Sequence, residues 1–221
     1  MALYNSIPVV TDQIESYFDV ENPKLSTGYV KDLIYFDNPD FKITITNGTH
    51  VTTTPKYYSF NGANTSGAIE SAGDSFAYNP HTIELIVRPQ NLTGNRTIYC
   101  TDQYDIIFAN NQIAVYPQED MIIKPFSTPT TFVTNTWYHI AVTIGAVYET
   151  TSSTAYVNGI SQGTTSAFGL YDIYDARLGN TLAASTSPFL GDFSILRTYY
   201  KTLTQSEIIQ NYNAAKTRYR I

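Results

Sequence analysis

Between Trp137 and Gly163 the chain reads WYHIAVTIGAVYETTSSTAYVNGISQG, and no other stretch restricts the fold as tightly. A period of two runs through its first part. Tyr138, Ile140, Val142 and Ile144 fall on one face, and Trp137, His139, Ala141 and Thr143 on the other. A polar loop follows, and a second strand then reverses at Asn158-Gly159. Asn-Gly between strands favours a two-residue type I′ turn, whose twist matches that of the strands it joins. Repeated along a chain, this pattern describes a two-sheet β-sandwich.

It does repeat. KYYSFNG (Lys56–Gly62), TIELIVRP (Thr82–Pro89), TIYC (Thr97–Cys100), YDIIFANNQIAVYP (Tyr104–Pro117), MIIKPF (Met121–Phe126) and PFLGDFSILRTYY (Pro188–Tyr200) are further short apolar or alternating runs. In the second, Ile83, Leu85 and Val87 share one face while Glu84 and Arg88 take the outward one. Asn110-Asn111 suits a hairpin turn, since Asn tolerates positive φ. Residues 1 to about 30, punctuated by Pro8, Pro23 and Gly28, read as a leading arm and a first edge strand. The tail differs in kind. Thr204-Gln-Ser-Glu207 is a capping box, Leu203 and Ile208 are placed for a hydrophobic staple, and Ile208, Tyr212 and Ala215 recur at helical spacing. A helix is expected over 205 to about 216, within a capped segment 203–217, with its apolar side on the sandwich. No linker or repeat divides residues 1–221, so one all-β domain is expected.

Composition narrows the partners. The net charge is −6 with no basic block, which argues against binding a nucleic-acid backbone. Tyr, with 19 copies against 13 Lys plus Arg, offers ring surface for contacts. Cys100 is the sole cysteine, so there is no internal disulfide framework. The start lacks a charged-then-apolar signal pattern, and no apolar run approaches ~18 residues, so synthesis in a cytoplasm without membrane insertion is expected. The sequons at Asn47, Asn64, Asn91 and Asn95 would matter only in a secretory pathway.

Four segments together resemble the concanavalin A-like lectin/glucanase superfamily in its laminin-G-like branch. They are YFDVENPKLSTG (Tyr17–Gly28), ITITNGTHVTTTPKYYSFNGANTSGAIES (Ile43–Ser71), the WYHIAVTI and AYVNGISQG pair, and LGDFSILRTYYKTLTQSEIIQNYNAAKTRY (Leu190–Tyr219). The last is similar to the family's closing strand and short helix. The resemblance covers roughly 17–219 and implies a jelly-roll sandwich of two curved antiparallel sheets with a short C-terminal helix. The opening Asp19-to-Lys24 segment and the closing Asn211-to-Tyr219 tail are also similar to those of tailed-bacteriophage virion proteins. That implies a multi-copy or homo-oligomeric structural component of a particle, touching other virion proteins and released by lysis. The fold itself carries lectins, glycosidases and structural modules alike.

Chemistry on the side chains is sparse. A glycosidase needs two carboxylates flanking the scissile bond, and the related β-glucanases set them out as Glu-x-Asp-x-x-Glu. The nearest fragment, Glu70-Ser-Ala-Gly-Asp74, has the wrong spacing, and Glu84 has no carboxylate two residues away, so catalysis is not expected. His50, His81 and His139 are scattered, with His139 read as a surface or half-buried packing residue; with Cys100 they show no metal-finger spacing. Calcium is admitted by the resemblance, with Asp102 and Asp105, or Asp172 and Asp175, flanking turns as oxygen ligands. Two loops have a sugar-binding composition of rings beside amides and carboxylates: Tyr104, Asp105, Asn110 and Asn111 in the first, Tyr171, Asp172, Tyr174 and Asp175 in the second. Host surface glycans are the ligand those loops would suit. Lys201, Lys216, Arg218 and Arg220 make the tail basic, which complements a helix C-terminus or an acidic neighbouring subunit.

Overall fold

The computed structural model describes residues 8–21, 29–35, 40–70, 80–119, 121–128, 130–145, 152–166, 168, 173, 175–180 and 187–221. In chain order its strands begin with β1 (Ile14–Asp19), β2 (Tyr29–Lys31), β3 (Lys42–Thr46), β4 (Thr49–Val51), β5 (Tyr57–Asn61) and β6 (Ser66–Glu70). The middle of the chain forms β7 (His81–Pro89), β8 (Asn95–Thr101), β9 (Tyr104–Ala109), β10 (Gln112–Pro117), β11 (Lys124–Pro125) and β12 (Tyr138–Ile144). Last come β13 (Thr154–Val157), β14 (Ile160–Thr164), β15 (Ala176–Leu178), β16 (Ser187–Pro188), β17 (Leu190–Tyr199) and the helix α1 (Gln205–Tyr219).

These strands make two sheets. One has the order β14-β13-β12-β7-β17-β5-β4, with β1 beside β17; the other runs β11-β10-β9-β8-β15-β6-β3-β2, with β16 beside β8. Among the described residues every strand pairing is antiparallel except the short β16–β8 contact. The architecture is the all-β jelly-roll sandwich with a C-terminal helix that the resemblance implied. Alternation explains the core. Ile83, Leu85 and Val87 of β7 and Tyr138, Ile140, Val142 and Ile144 of β12 meet Ile106, Phe108, Ile113 and Val115 of the opposing sheet. The two-residue turns are as the sequence reads: Asn110 and Asn111 take φ 51 and 63, Asn158 and Gly159 take φ 51 and 77.

On the other side of the first sheet, the sequence shows outward positions but the structure buries them. The helix α1 packs on β12, β7 and β17 through its own buried face, Ile208, Asn211, Ala215 and Tyr219. Its capping box forms as spelled, and it runs past the expected end near 216 to Tyr219. Leu203 and Ile208 share a small apolar cluster with Val10, Ala141 and Tyr199, so the staple also ties in the N-terminal arm. Arg218 pairs with Asp19 (2.9 Å), and Lys201 with Asp12 and Glu207 (2.7 Å each). Much of the tail's basic charge is therefore spent within the chain.

The margin of the first sheet is closed too. Ser127 and Thr128 donate backbone N–H groups to Thr164 and Gln162 of the edge strand β14 (3.1 and 2.9 Å). This strap leads on from β11 at the other sheet's margin and satisfies an edge that would otherwise offer unpaired groups.

Candidate functional site

At one end of the sandwich three loops enclose an open cleft of about 420 Å³. Residues 90–93, between β7 and β8, form one wall; Asn111 of the β9–β10 hairpin and residues 132–134 before β12 form the rest. Neighbouring backbones lock the loops together. Phe132 N–H donates to the Asn111 carbonyl (3.0 Å), Asn135 N–H to that of Pro89 (2.7 Å), and Gln90 N–H to that of Leu190 (2.9 Å). The floor is apolar. Phe132 meets Phe108 and Tyr138 edge-on, with ring centroids 4.8 and 4.7 Å away, and Leu92 is buried beside them. Above it the groups are uncharged and mostly polar: Gln90, Thr93, Asn111 and Thr134 are exposed, as is the apolar Val133, and Asn91 is half-buried. Such a cleft lies within the size range of small-ligand sites, and its lining is mostly polar over a small apolar floor.

The expected ligand residues divide. Asn111 lines the cleft and Asn110 is exposed beside it. Tyr104 and Asp105 stand at the opposite end of β9 and are fully buried, which corrects their reading as loop contacts. The Tyr104 ring packs in the core against Tyr99 and Phe168, its hydroxyl 2.7 Å from His81 Nε2, and burial pushes its pKa well up. Asp105 Oδ1 accepts from Gln118 Nε2 (3.0 Å). Asp175 is half-buried and paired with Arg177 (2.8 Å), its carbonyl accepting from Asp102 N–H (3.3 Å). Tyr171, Asp172 and Tyr174 lie outside the described residues. The tyrosines are also less available than their number suggests: Tyr58, Tyr99, Tyr104, Tyr116, Tyr138, Tyr199 and Tyr219 are all buried.

Among the described residues, no group of three or more His, Cys, Asp or Glu is placed to hold a metal ion. The Asp102–Asp105 pair does not suit calcium, because Asp105 is buried and already bonded to an amide. Other carboxylates are committed as well. Asp192, buried, accepts from Arg88 Nε (2.7 Å) and from Gln90 Nε2 (3.2 and 3.3 Å). Arg88 lies over the rings of Tyr57 and Trp137, 4.9 and 5.0 Å from their centroids.

Glu84, outward on β7 as read, sits wholly buried under α1 at the centre of a polar network. Its Oε1 accepts from His139 Nε2 (3.2 Å). Its Oε2 accepts from Asn211 Nδ2 (2.8 Å), Arg197 Nη1 (3.3 Å) and the Tyr199 hydroxyl (3.4 Å). Asn211 Oδ1 in turn accepts from Val10 N–H (2.7 Å), which brings the N-terminal arm into the same network. His139, taken from the sequence as a surface or half-buried residue, is fully buried. No sequence spacing signals this network, because its members come from three strands, the arm and the helix; the one available hint was a charged residue opposite Arg197 in the central pair β7–β17.

Asp32 is the other buried acid that the sequence did not mark. Its Oδ1 accepts from the backbone N–H groups of Ile34, Tyr17 and Tyr35, and its Oδ2 has no partner among the described residues. Burial raises its pKa to about 6 despite the three backbone donors that favour the anion. Because the folded state holds the proton more tightly than an ordinary carboxyl at 3.8, Asp32 costs stability above about pH 6, and that cost fades as pH falls towards 3.8. Asp32→Asn should therefore be more stable than wild type at neutral pH and lose that advantage in acid. Urea unfolding of both proteins across this range checks it; a pH-independent difference would refute it.

Comparison with solved structures finds the same fold in several other proteins. Trypanosoma rangeli sialidase is similar at a TM-score of 0.69 and 15% identity, over 94% of this chain and 33% of the sialidase. The chain thus spans about a third of that enzyme. Domain 4 of AbnA, a GH43 extracellular arabinanase from Geobacillus stearothermophilus solved with arabinotriose, is similar at 0.62 and 18% identity, over 90% of this chain and 98% of the domain. The binding domain of botulinum neurotoxin serotype D/C, strain VPI 5993, is similar at 0.67 and 11% identity, over 91% of this chain and 52% of that domain. Among curated proteins no sequence matches. Residues 61–209, more than half of the chain, match the laminin-G-type family model of the concanavalin A-like lectin/glucanases superfamily, and the chain belongs to that family.

Proposed function

We propose that the protein is a non-catalytic, lectin-like adhesion component of a tailed-phage particle, displayed on its capsid, neck or tail and contacting host surface glycans through the end cleft. The observation that carries the reading is the cleft itself: an open, uncharged, amide-bearing depression whose loops are hydrogen-bonded to one another and to the sheets. Amides beside an apolar floor suit the alternating hydroxyl and C–H surface of a sugar. Two further observations support the absence of catalysis. The cleft lining holds no carboxylate, and Glu84, Asp105 and Asp192 are buried in bonded positions, whereas glycoside hydrolysis needs two carboxyl groups facing substrate. The particle context rests on the phage-like opening and closing segments. Many copies on a symmetric particle would turn weak single contacts into avid attachment.

The likeness to an arabinanase domain solved with arabinotriose favours a second reading, a carbohydrate-binding module that is not part of a particle. Mass spectrometry and immunogold labelling of purified particles separate the two: absence from particles leaves only the module. Glycan binding is tested with Asn111→Gly, which removes the amide while keeping a residue that accepts φ 63 at that turn position. Loss of one or two hydrogen bonds should weaken binding by about 3- to 10-fold, with unfolding unchanged. Release of reducing sugar from any bound glycan would overturn the non-catalytic reading.

A further inference from the structure

From the hydrogen-bonding state of the cleft we infer that its ligand is a neutral, hydroxyl-rich saccharide, and that acidic sugars such as uronic or sialic acids are disfavoured there. This rests on the glycan-binding reading above and narrows its ligand class. The cleft's amides are already half spent, and in opposite senses. Gln90 gives its Nε2 to the buried Asp192 carboxylate (3.2 and 3.3 Å), so the group it can turn to a ligand is its carbonyl oxygen, an acceptor. Asn91 Oδ1 accepts from Thr93 N–H (2.7 Å), which leaves it the Nδ2 donor and one Oδ1 lone pair to turn to a ligand. One wall therefore presents an acceptor next to a donor. A sugar hydroxyl donates and accepts at once and satisfies both; a carboxylate accepts only, and would set its charge against the Gln90 carbonyl.

Fixed charge gives an acidic sugar nothing in return. No lining residue is ionisable. Two arginines stand near this end of the sandwich, Arg88 on β7 and Arg96 on β8, and neither lines the cleft. Arg88 is paired through Nε with Asp192, and its guanidinium lies over two rings. Asp192, which holds Gln90 in place, is the nearest negative group that the hydrogen bonds define, and it too opposes an anion. Recognition of this kind needs no metal bridge and little electrostatic attraction, so it should be insensitive to salt.

The test measures the whole protein by calorimetry against neutral hexose and pentose trisaccharides and against matched trisaccharides carrying one uronic or sialic acid, at low and high salt, with and without a chelator. Neutral ligands should bind, change by less than about 2-fold with salt, keep their affinity in chelator, and weaken in Asn111→Gly. Acidic ligands should bind at least about 10-fold more weakly, and the exposed Thr134→Lys should recover part of that deficit. Tighter binding of the acidic set, lost at high salt or in Arg96→Met, would overturn the inference while leaving glycan binding intact. No binding by any saccharide would overturn both.

Discussion

Glu84→Ala should lower the unfolding free energy by about 3–5 kcal/mol, the range for breaking one side of a buried ion pair. The Arg197 side chain is only 2% exposed, and its guanidinium would keep its charge with no carboxylate to meet it. His139, Asn211 and Tyr199 would lose the same acceptor. Burial alone would raise the Glu84 pKa, but the hydrogen bond from His139 and the charges of His139 and Arg197 outweigh it and hold the carboxyl below its ordinary range. The pair's contribution is therefore complete above the ordinary carboxyl pKa and is lost as pH falls through the depressed folded value. Glu84→Gln, which keeps the shape and one acceptor, should cost less than alanine, and its deficit should narrow in acid. A double replacement, Glu84→Leu with Arg197→Met, should recover most of the loss because no charge remains to be buried. Denaturant midpoints of the four proteins decide it: a deficit below about 1 kcal/mol for Glu84→Ala would mean that helix and sheet are held by apolar contacts alone.

Gly179→Ala should cost about 2–4 kcal/mol and lower the melting temperature by on the order of 10 °C. Two effects add. Gly179 has φ +69, where a side chain is strained, and an added methyl would clash with the Cδ1–Cε1 edge of the Phe60 ring. Neither partner can yield easily. Gly179 is pinned between two backbone hydrogen bonds, to Ile98 and from Phe189 (2.9 Å each), and Phe60 is buried against the rings of Phe189 and Phe193. Gly94→Ala provides the comparison, since Gly94 also has φ +69 but nothing lies within 4 Å of the added carbon. Its cost should be the backbone part alone, about 1 kcal/mol. Equal losses in the two variants would show that the Phe60 ring moves aside.

Periodicity made the sandwich readable. A strand with one apolar face declares that face in its own residues, as β7 and β12 do, and Asn158-Gly159 and Thr204 to Glu207 declare a turn and a helix start through chemistry confined to a few positions. The buried polar layer was not readable for the opposite reason. Glu84, His139 and Arg197 look like ordinary outward residues until Asn211 and Val10 cover them, and for Glu84 that cover arrives from 127 residues further along the chain. The candidate site was half legible. Asn111 was found through the composition of its loop, whereas the amides at 90 and 91 sit in a stretch with no pattern and gain meaning only once Asn111 and residues 132–134 close around them. Composition misled at Tyr104 and Asp105. A Tyr-Asp pair reads as a polar loop, yet here it opens a strand whose sides are both buried.

The docking of the N-terminal arm gives the molecule a polarity of use. Val10 is fastened at the start of β7, its carbonyl accepting from Tyr199, which lies opposite Thr82, while the cleft opens beyond Pro89 at the other end of the same strand. Eight residue steps at about 3.3 Å separate those points by roughly 25 Å. A load carried through the arm would thus enter at the handle and leave the tip free. The longest central strands would run along the line between them, so that a pull would shear many backbone hydrogen bonds together rather than peel them one at a time.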